Sequence, residues 1–202
     1  MPSIRFDRRP ISGLAAVLAV ALLLGACDTP PHRDSFPELT YQYLPPIRLD
    51  VARIEILDVA PSAADEARVE RDFPTPPGVA AAHWARDRLQ AAGPDGVARF
   101  TVLEASVTDV PLPRTAGLAG VVTNDQADRY DAVLKVRLET SNRGGRQTGV
   151  VTAEARESAT AAEDMTLNDR ERLWFEMTHR LMDRLNAELE KQIDAHLGAF
   201  LR

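Results

Sequence analysis

The sequence predicts an α+β fold. It is a two-layer sandwich with a mostly antiparallel four-stranded sheet and two helices on one face, in the order β-α-β-β-β-α, ending in a long helix. Three observations predict it. Residues 129–140 alternate apolar and polar, with Tyr130, Ala132, Leu134, Val136 and Leu138 against Asp131, Lys135, Arg137 and Glu139. Residues 149–160 mirror that alternation after a glycine-containing turn. Met177, Leu181, Leu185, Leu189 and Ile193 recur every four residues, the spacing of a helix face laid on a sheet.

The elements follow in order. In IRLDVARIEILDV (47–59), Ile47, Leu49 and Val51 alternate with polar residues, then Ile54 and Ile56 take the opposite parity. One face stays inward only if a residue is extra, so a bulge is expected near Ala52-Arg53. Residues 60–78 are polar and proline-rich and read as a loop, with an extended piece at Val69–Phe73. Residues 76–93 read as a helix, entered through prolines and ended by Gly93-Pro94. Its small stripe of Ala81, Ala85, Leu89 and Ala92 would let it sit close to a sheet.

Residues 98–112 form the next strand, whose inward parity shifts from Phe100 and Val102 to Ala105 and Val107. Thr123 and Gln126 read as the cap of a short helical turn before Tyr130. In strand 129–140, Tyr130, Ala132, Leu134, Val136 and Leu138 share a face. A turn centred on Gly144-Gly145 sets Leu138 opposite Val151, Val136 opposite Ala153 and Leu134 opposite Ala155. The same register puts Lys135 opposite Glu154 on the other face, a favourable cross-strand pair. The last helix spans 165–201, with overlapping caps at Thr166/Asp169 and Asn168/Glu171. Such a helix would be roughly 52 Å long against ~40 Å for a twelve-residue strand. Its last turns, with Leu197, Phe200 and Leu201, are therefore expected to overhang the sheet.

Ahead of this domain, MPSIRFDRRP carries Arg5, Arg8 and Arg9, and ISGLAAVLAVALLLG then runs without a charge. A basic start, a short apolar run and small residues at its end make a secretory signal. The run is shorter than the ~20 residues of a membrane span. It ends in Leu24-Gly25-Ala26-Cys27, and Cys27 is the only cysteine in the chain. This quartet resembles the lipobox of bacterial lipoproteins, with Leu24 at the apolar position, Gly25 and Ala26 as the small pair and Cys27 as acceptor. The resemblance implies a diacylglyceryl group on the Cys27 sulfur, cleavage just before Cys27, and acylation of the new amino group. Each buried methylene contributes about 0.8 kcal/mol, so two or three acyl chains anchor stably where one does not. Asp28 resembles the enteric signal for staying in the inner membrane.

The chain thus divides into a signal peptide, 1–26, a lipidated cysteine with a proline-rich tether, 27–46, and a single α+β periplasmic domain, 47–202. The prolines at 30, 31, 37, 45 and 46 favour an extended tether. Its portion near Tyr43 is expected to dock on the domain.

Net charge is −6, and loss of the signal would make it −8. No basic patch lies beyond the N-terminus, which argues against nucleic acid, and an acidic body leaves anchoring to lipid. His32, His83, His179 and His196 form no HxxxH or HExxH pair, and phosphate-loop, dinucleotide and nucleophile-elbow motifs are absent. No metal, cofactor or enzymatic activity is expected. Two stretches are candidate partner contacts. The uncharged TAGLAGVV segment offers Leu118, Val121 and Val122 to lipid or a partner, or else folds back over its own domain. The end of the last helix offers Leu197, Phe200 and Leu201 to another protein, or else continues the core.

The element order over about residues 47–200 resembles the lipopolysaccharide-assembly lipoprotein that plugs the outer-membrane translocon. It also resembles the auxiliary lipoproteins of envelope ABC lipid transporters. The resemblance implies a non-enzymatic accessory or scaffold subunit of an envelope transport or assembly complex, facing the periplasm. The rival reading is a carrier or sensor holding a lipid or other amphiphile between sheet and helices. That reading requires an apolar cavity of about 300 Å³ or more.

Overall fold

The computed structural model describes residues 35–57, 68–112 and 126–202. Its elements are β1 (Ile47–Leu49), β2 (Arg53–Leu57), α1 (Pro77–Arg88), β3 (Leu89–Ala91), β4 (Val97–Pro111), β5 (Gln126–Asn142), β6 (Gln147–Ala162) and α2 (Leu167–His196). The main sheet has the order β2-β4-β5-β6. The β2–β4 pair is parallel, and the β4–β5 and β5–β6 pairs are antiparallel. α1 lies over β4 and α2 over β6, on the same face. The expected two-layer α+β architecture is present.

The β5–β6 hairpin pairs Leu138 with Val151, Val136 with Ala153, Leu134 with Ala155 and Lys135 with Glu154, as the alternation requires. Gly144 and Gly145 take the turn at positive φ, 67° and 82°, where a Cβ would be strained. Both strands run longer than their apolar cores suggest. β5 starts at Gln126, so the helical turn expected at 123–126 gives way to strand there; residues 123–125 lie outside the described residues. In β4 the register shifts between Val102 and Glu104. Leu103 is the extra residue, and the inward parity passes from Phe100 and Val102 to Val107 across it.

The first predicted strand is split rather than bulged. β1 pairs with β3 in a separate two-stranded parallel sheet, and the chain then crosses at 50–52 to join β4 as β2. The parity switch at Ala52-Arg53 marks this change of partner. The helix predicted over 76–93 stops at Arg88 for the same reason, because Leu89–Ala91 are needed as β3. Of the extended piece expected at Val69–Phe73, only Val69 pairs, donating to the Val107 carbonyl, and a turn follows.

α2 starts one residue after Thr166, whose hydroxyl accepts from the Asp169 amide. This is the first of the two predicted caps. Met177, Leu181, Leu185, Leu189 and Ile193 are all buried, joined by Trp174, Thr178 and Met182. The helix ends at His196 and does not overhang the sheet. The tail turns back through Gly198–Phe200. Phe200 O accepts from Asp50 N, Arg202 N donates to Arg48 O, and Leu201 bridges Leu49. A side chain at Gly149 would collide with Leu197, so this glycine lets the tail close over the hairpin. Between the layers, Trp84, Phe100, Leu134, Leu138, Met177, Leu181 and Leu185 are fully enclosed.

Candidate functional site

Part of the predicted tether belongs to the domain. The compact unit begins at Ser35. Phe36 packs against Phe175 with ring centroids 5.1 Å apart, and Leu39 and Tyr41 are buried, whereas Tyr43 is exposed. The fastening point is Asp87 on α1. Its carboxylate accepts from Tyr41 N at 2.7 Å, Thr40 Oγ1 at 3.0 Å and Gln42 Nε2 at 3.2 Å. Burial pushes the Asp87 carboxyl up, but these three donors and His83 outweigh it and hold it below its ordinary value. Burial, with Tyr43, Asp183 and Asp87 nearby, raises the Tyr41 hydroxyl strongly.

Beside this seat, a polar brace joins the helices. Asn186 Oδ1 accepts from Trp84 Nε1 at 2.7 Å and from Arg88 Nη1 at 2.9 Å, and Arg88 Nη2 donates to Glu190 at 2.7 Å. Arg88 is only 3% exposed, and its guanidinium lies 5.8 Å over the Trp84 ring. A buried charge needs such partners, since isolation from water is costly. The brace borders an open cleft of about 340 Å³, walled by Pro45, Pro46, Ile47, Arg48 and Ile193.

A second polar contact guards the sheet edge. β6 is an outer strand, and its free edge would invite another strand. Glu157 on β6, 7% exposed, accepts from Arg180 Nε at 2.8 Å and pairs with Arg184 at 2.9 Å. Arg184 Nη1 also donates to the Arg156 carbonyl at 3.0 Å. Two arginines of α2 therefore clasp the middle of β6. At the far end of the sheet, Asp109, Asp128, Tyr130, Arg170 and Trp174 gather. Among the described residues, Asp109 Oδ1 and Arg170 Nε are buried without a hydrogen-bond partner, and the buried Tyr130 hydroxyl has Trp174 Nε1 beside it. Burial raises the Asp109 carboxyl, Asp128 adds to this, and Arg170 opposes it.

The sheet's other face carries charge pairs. Arg99 meets Glu55 at 3.1 Å, and Glu154 meets both Lys135 and Arg156. Two further hollows are open to the outside, about 270 Å³ between Val97, Arg99 and Val150, and about 380 Å³ beside Val79 and Ala82 of α1. Among the described residues, no group of three metal-ligating side chains converges. No described helix is long and apolar enough to cross a membrane.

Leu24, Gly25, Ala26, Cys27, Asp28, Leu118, Val121 and Val122 lie outside the described residues. The other candidate contact needs correcting. Leu197 is 0% and Phe200 2% exposed, and Leu201 is half-buried against the core, so the chain's own interior occupies them. Sequence reasoning missed Asp87, Asn186 and Glu157. Their partners in Tyr41, Trp84, Arg88, Arg180 and Arg184 lie far along the chain, and only the signs of the charges hinted at them.

No family model matches the chain, and no curated protein does. Solved structures similar to it include two lipoproteins. Rare lipoprotein B from Shewanella oneidensis is 10% identical with a TM-score of 0.36, covering 71% of this chain and 95% of that one. A minor lipoprotein from Acinetobacter baumannii is 18% identical with a TM-score of 0.36, covering 73% of this chain and 93% of that one.

Proposed function

We propose that this chain is a bacterial lipoprotein, held to the envelope membrane through Cys27, whose domain is a non-enzymatic accessory or scaffold subunit of an envelope transport or assembly complex. The anchor reading is supported by Leu24-Gly25-Ala26-Cys27 at the end of a short apolar run, with no second thiol. Asp28 supports the inner membrane. The observation that carries the scaffold reading is the filled layer between sheet and helices, where Trp84, Phe100, Leu134, Met177 and Leu181 leave no exposed surface. An amphiphile carrier needs a chamber in that layer. The three hollows described above are open and each has charged residues in its wall.

The anchor is tested by Cys27→Ser in cells. Loss of labelled palmitate and release from the membrane fraction are expected, and undiminished label would refute it. The scaffold role is tested by crosslinking in cells followed by mass spectrometry. A reproducible envelope protein partner is expected. Co-purification of a stoichiometric lipid, with no protein crosslinked, would favour the carrier.

A further inference from the structure

We propose that Asp87 is the clasp of a leash with two lengths, holding residues 36–44 against the helices and releasing them to let the domain reach further from the membrane. The inference rests on the lipid-anchor reading for its consequence, and on the seat itself for its mechanism. Nine residue steps separate Cys27 from Phe36, and twenty separate it from Ile47. At roughly 3.3 Å each, the clasped chain spans at most ~30 Å and the released chain ~66 Å.

The seat is built to be opened. The segment adds no strand to either sheet; its backbone is tied to α1 by the Tyr41 amide on Asp87, and Leu44 N closes a local turn on Tyr41 O. Only Leu39 and Tyr41 are fully buried, while Thr40, Gln42, Tyr43, Pro45 and Pro46 are exposed. Ordering the whole stretch costs conformational entropy that Leu39, Tyr41, the Phe36–Phe175 contact and the half-buried Leu44 offset only in part. One carboxylate taking three donors from three successive residues therefore sets the balance. Removing it leaves the domain core untouched, since Asp87 faces the tether and not the sheet. Such weakly held segments open separately from the rest of a domain.

Hydrogen exchange on the mature chain carrying Cys27→Ser tests the clasp without any lipid. Protected amides at Tyr41 and Leu44 are expected, and Asp87→Ala should lower their protection roughly tenfold or more while β5 and β6 keep theirs. Thr40→Ala with Gln42→Ala, made from the tether side, should move the same amides in the same direction. Unchanged protection in Asp87→Ala would overturn the proposal, as would equal loss across β5 and β6. The reach is read with the acylated chain in phosphatidylethanolamine–phosphatidylglycerol vesicles, with a dye on an Ala195→Cys variant and acceptor lipids. Asp87→Ala should lower energy transfer, and unchanged transfer would overturn the change of length. A chain that never joins the vesicles overturns the anchor, and with it the change of reach, while the exchange result still judges the clasp.

Discussion

Asn186 stands between the two helices, and its side-chain oxygen is the shared acceptor for Trp84 Nε1 and Arg88 Nη1. Asn186→Ala removes that acceptor and leaves both donors in place. Trp84 is fully enclosed and Arg88 nearly so, so water reaches neither without opening the interface. A buried donor left unsatisfied costs about 1–3 kcal/mol, more when charged. Arg88 keeps Glu190 as counter-ion, which spares it the full cost of an unpaired charge. The sum is ~3 kcal/mol. In a domain of this size each kcal/mol shifts Tm by about 2–4 °C, so the expected fall is about 6–12 °C. Thermal unfolding of the Cys27→Ser mature chain, followed by far-ultraviolet circular dichroism, reads it. Asn186→Asp keeps an acceptor and should lose much less. A fall below about 2 °C in Asn186→Ala would refute the claim that this oxygen braces the helices.

Three further outcomes are expected. Phe200→Ala should cost about 3–5 kcal/mol by emptying a core position, read by urea unfolding; unchanged stability would return the tail to the role of a docking surface. Asp109→Asn should raise Tm at neutral pH. The folded-state carboxyl is raised, chiefly by burial, so the folded state holds its proton longer and stability falls as pH rises from the ordinary Asp value to the raised one. The gain should therefore vanish in acid, and a pH-independent gain would refute the assignment. Arg180→Ala with Arg184→Ala should expose the β6 edge and produce dimers or larger species in sedimentation velocity; a strictly monomeric double variant would refute the guarding role.

The sheet was legible where two independent patterns agreed. The β5–β6 register satisfies Leu138/Val151 on one face and Lys135/Glu154 on the other, and a one-residue slip would break both. The two parity switches were also legible, one at Leu103 and one at Ala52-Arg53, but parity does not say whether a strand bulges or changes partner. That choice depended on β3, three residues the helical pattern had absorbed. The tail failed for a related reason. Leu197 and Phe200 continue an apolar stripe, and a stripe says that a face is covered without saying by what. Gly149, forty-eight residues before Leu197, makes the room that turns the tail inward. The lipobox resemblance rests on a short linear motif outside the described residues and is argued without a fold, whereas Asp87, Asn186 and Glu157 acquire meaning only through contacts distant in sequence.

Because the tail closes on β1 and the hairpin, the tail residues expected to meet a partner, Leu197, Phe200 and Leu201, are consumed inside the domain. Leu201 bridges Leu49, and Arg202 pairs with Asp50 at 2.6 Å. What the described surface offers instead is a charged sheet face, with Glu55, Arg99, Lys135, Glu154 and Arg156 in neighbouring pairs. Single apolar side chains such as Val150, 55% exposed, interrupt it. Exposed pairs of this kind contribute little to stability, so the face is free to change partners at small cost. An interface built there would be polar, sensitive to salt and selective through charge rather than tight through burial. On the proposed lipid anchor, the domain would not need a large apolar interface, since confinement near the membrane raises its effective concentration around any partner held there. On the same proposal, the length of the leash would decide which partners are within reach.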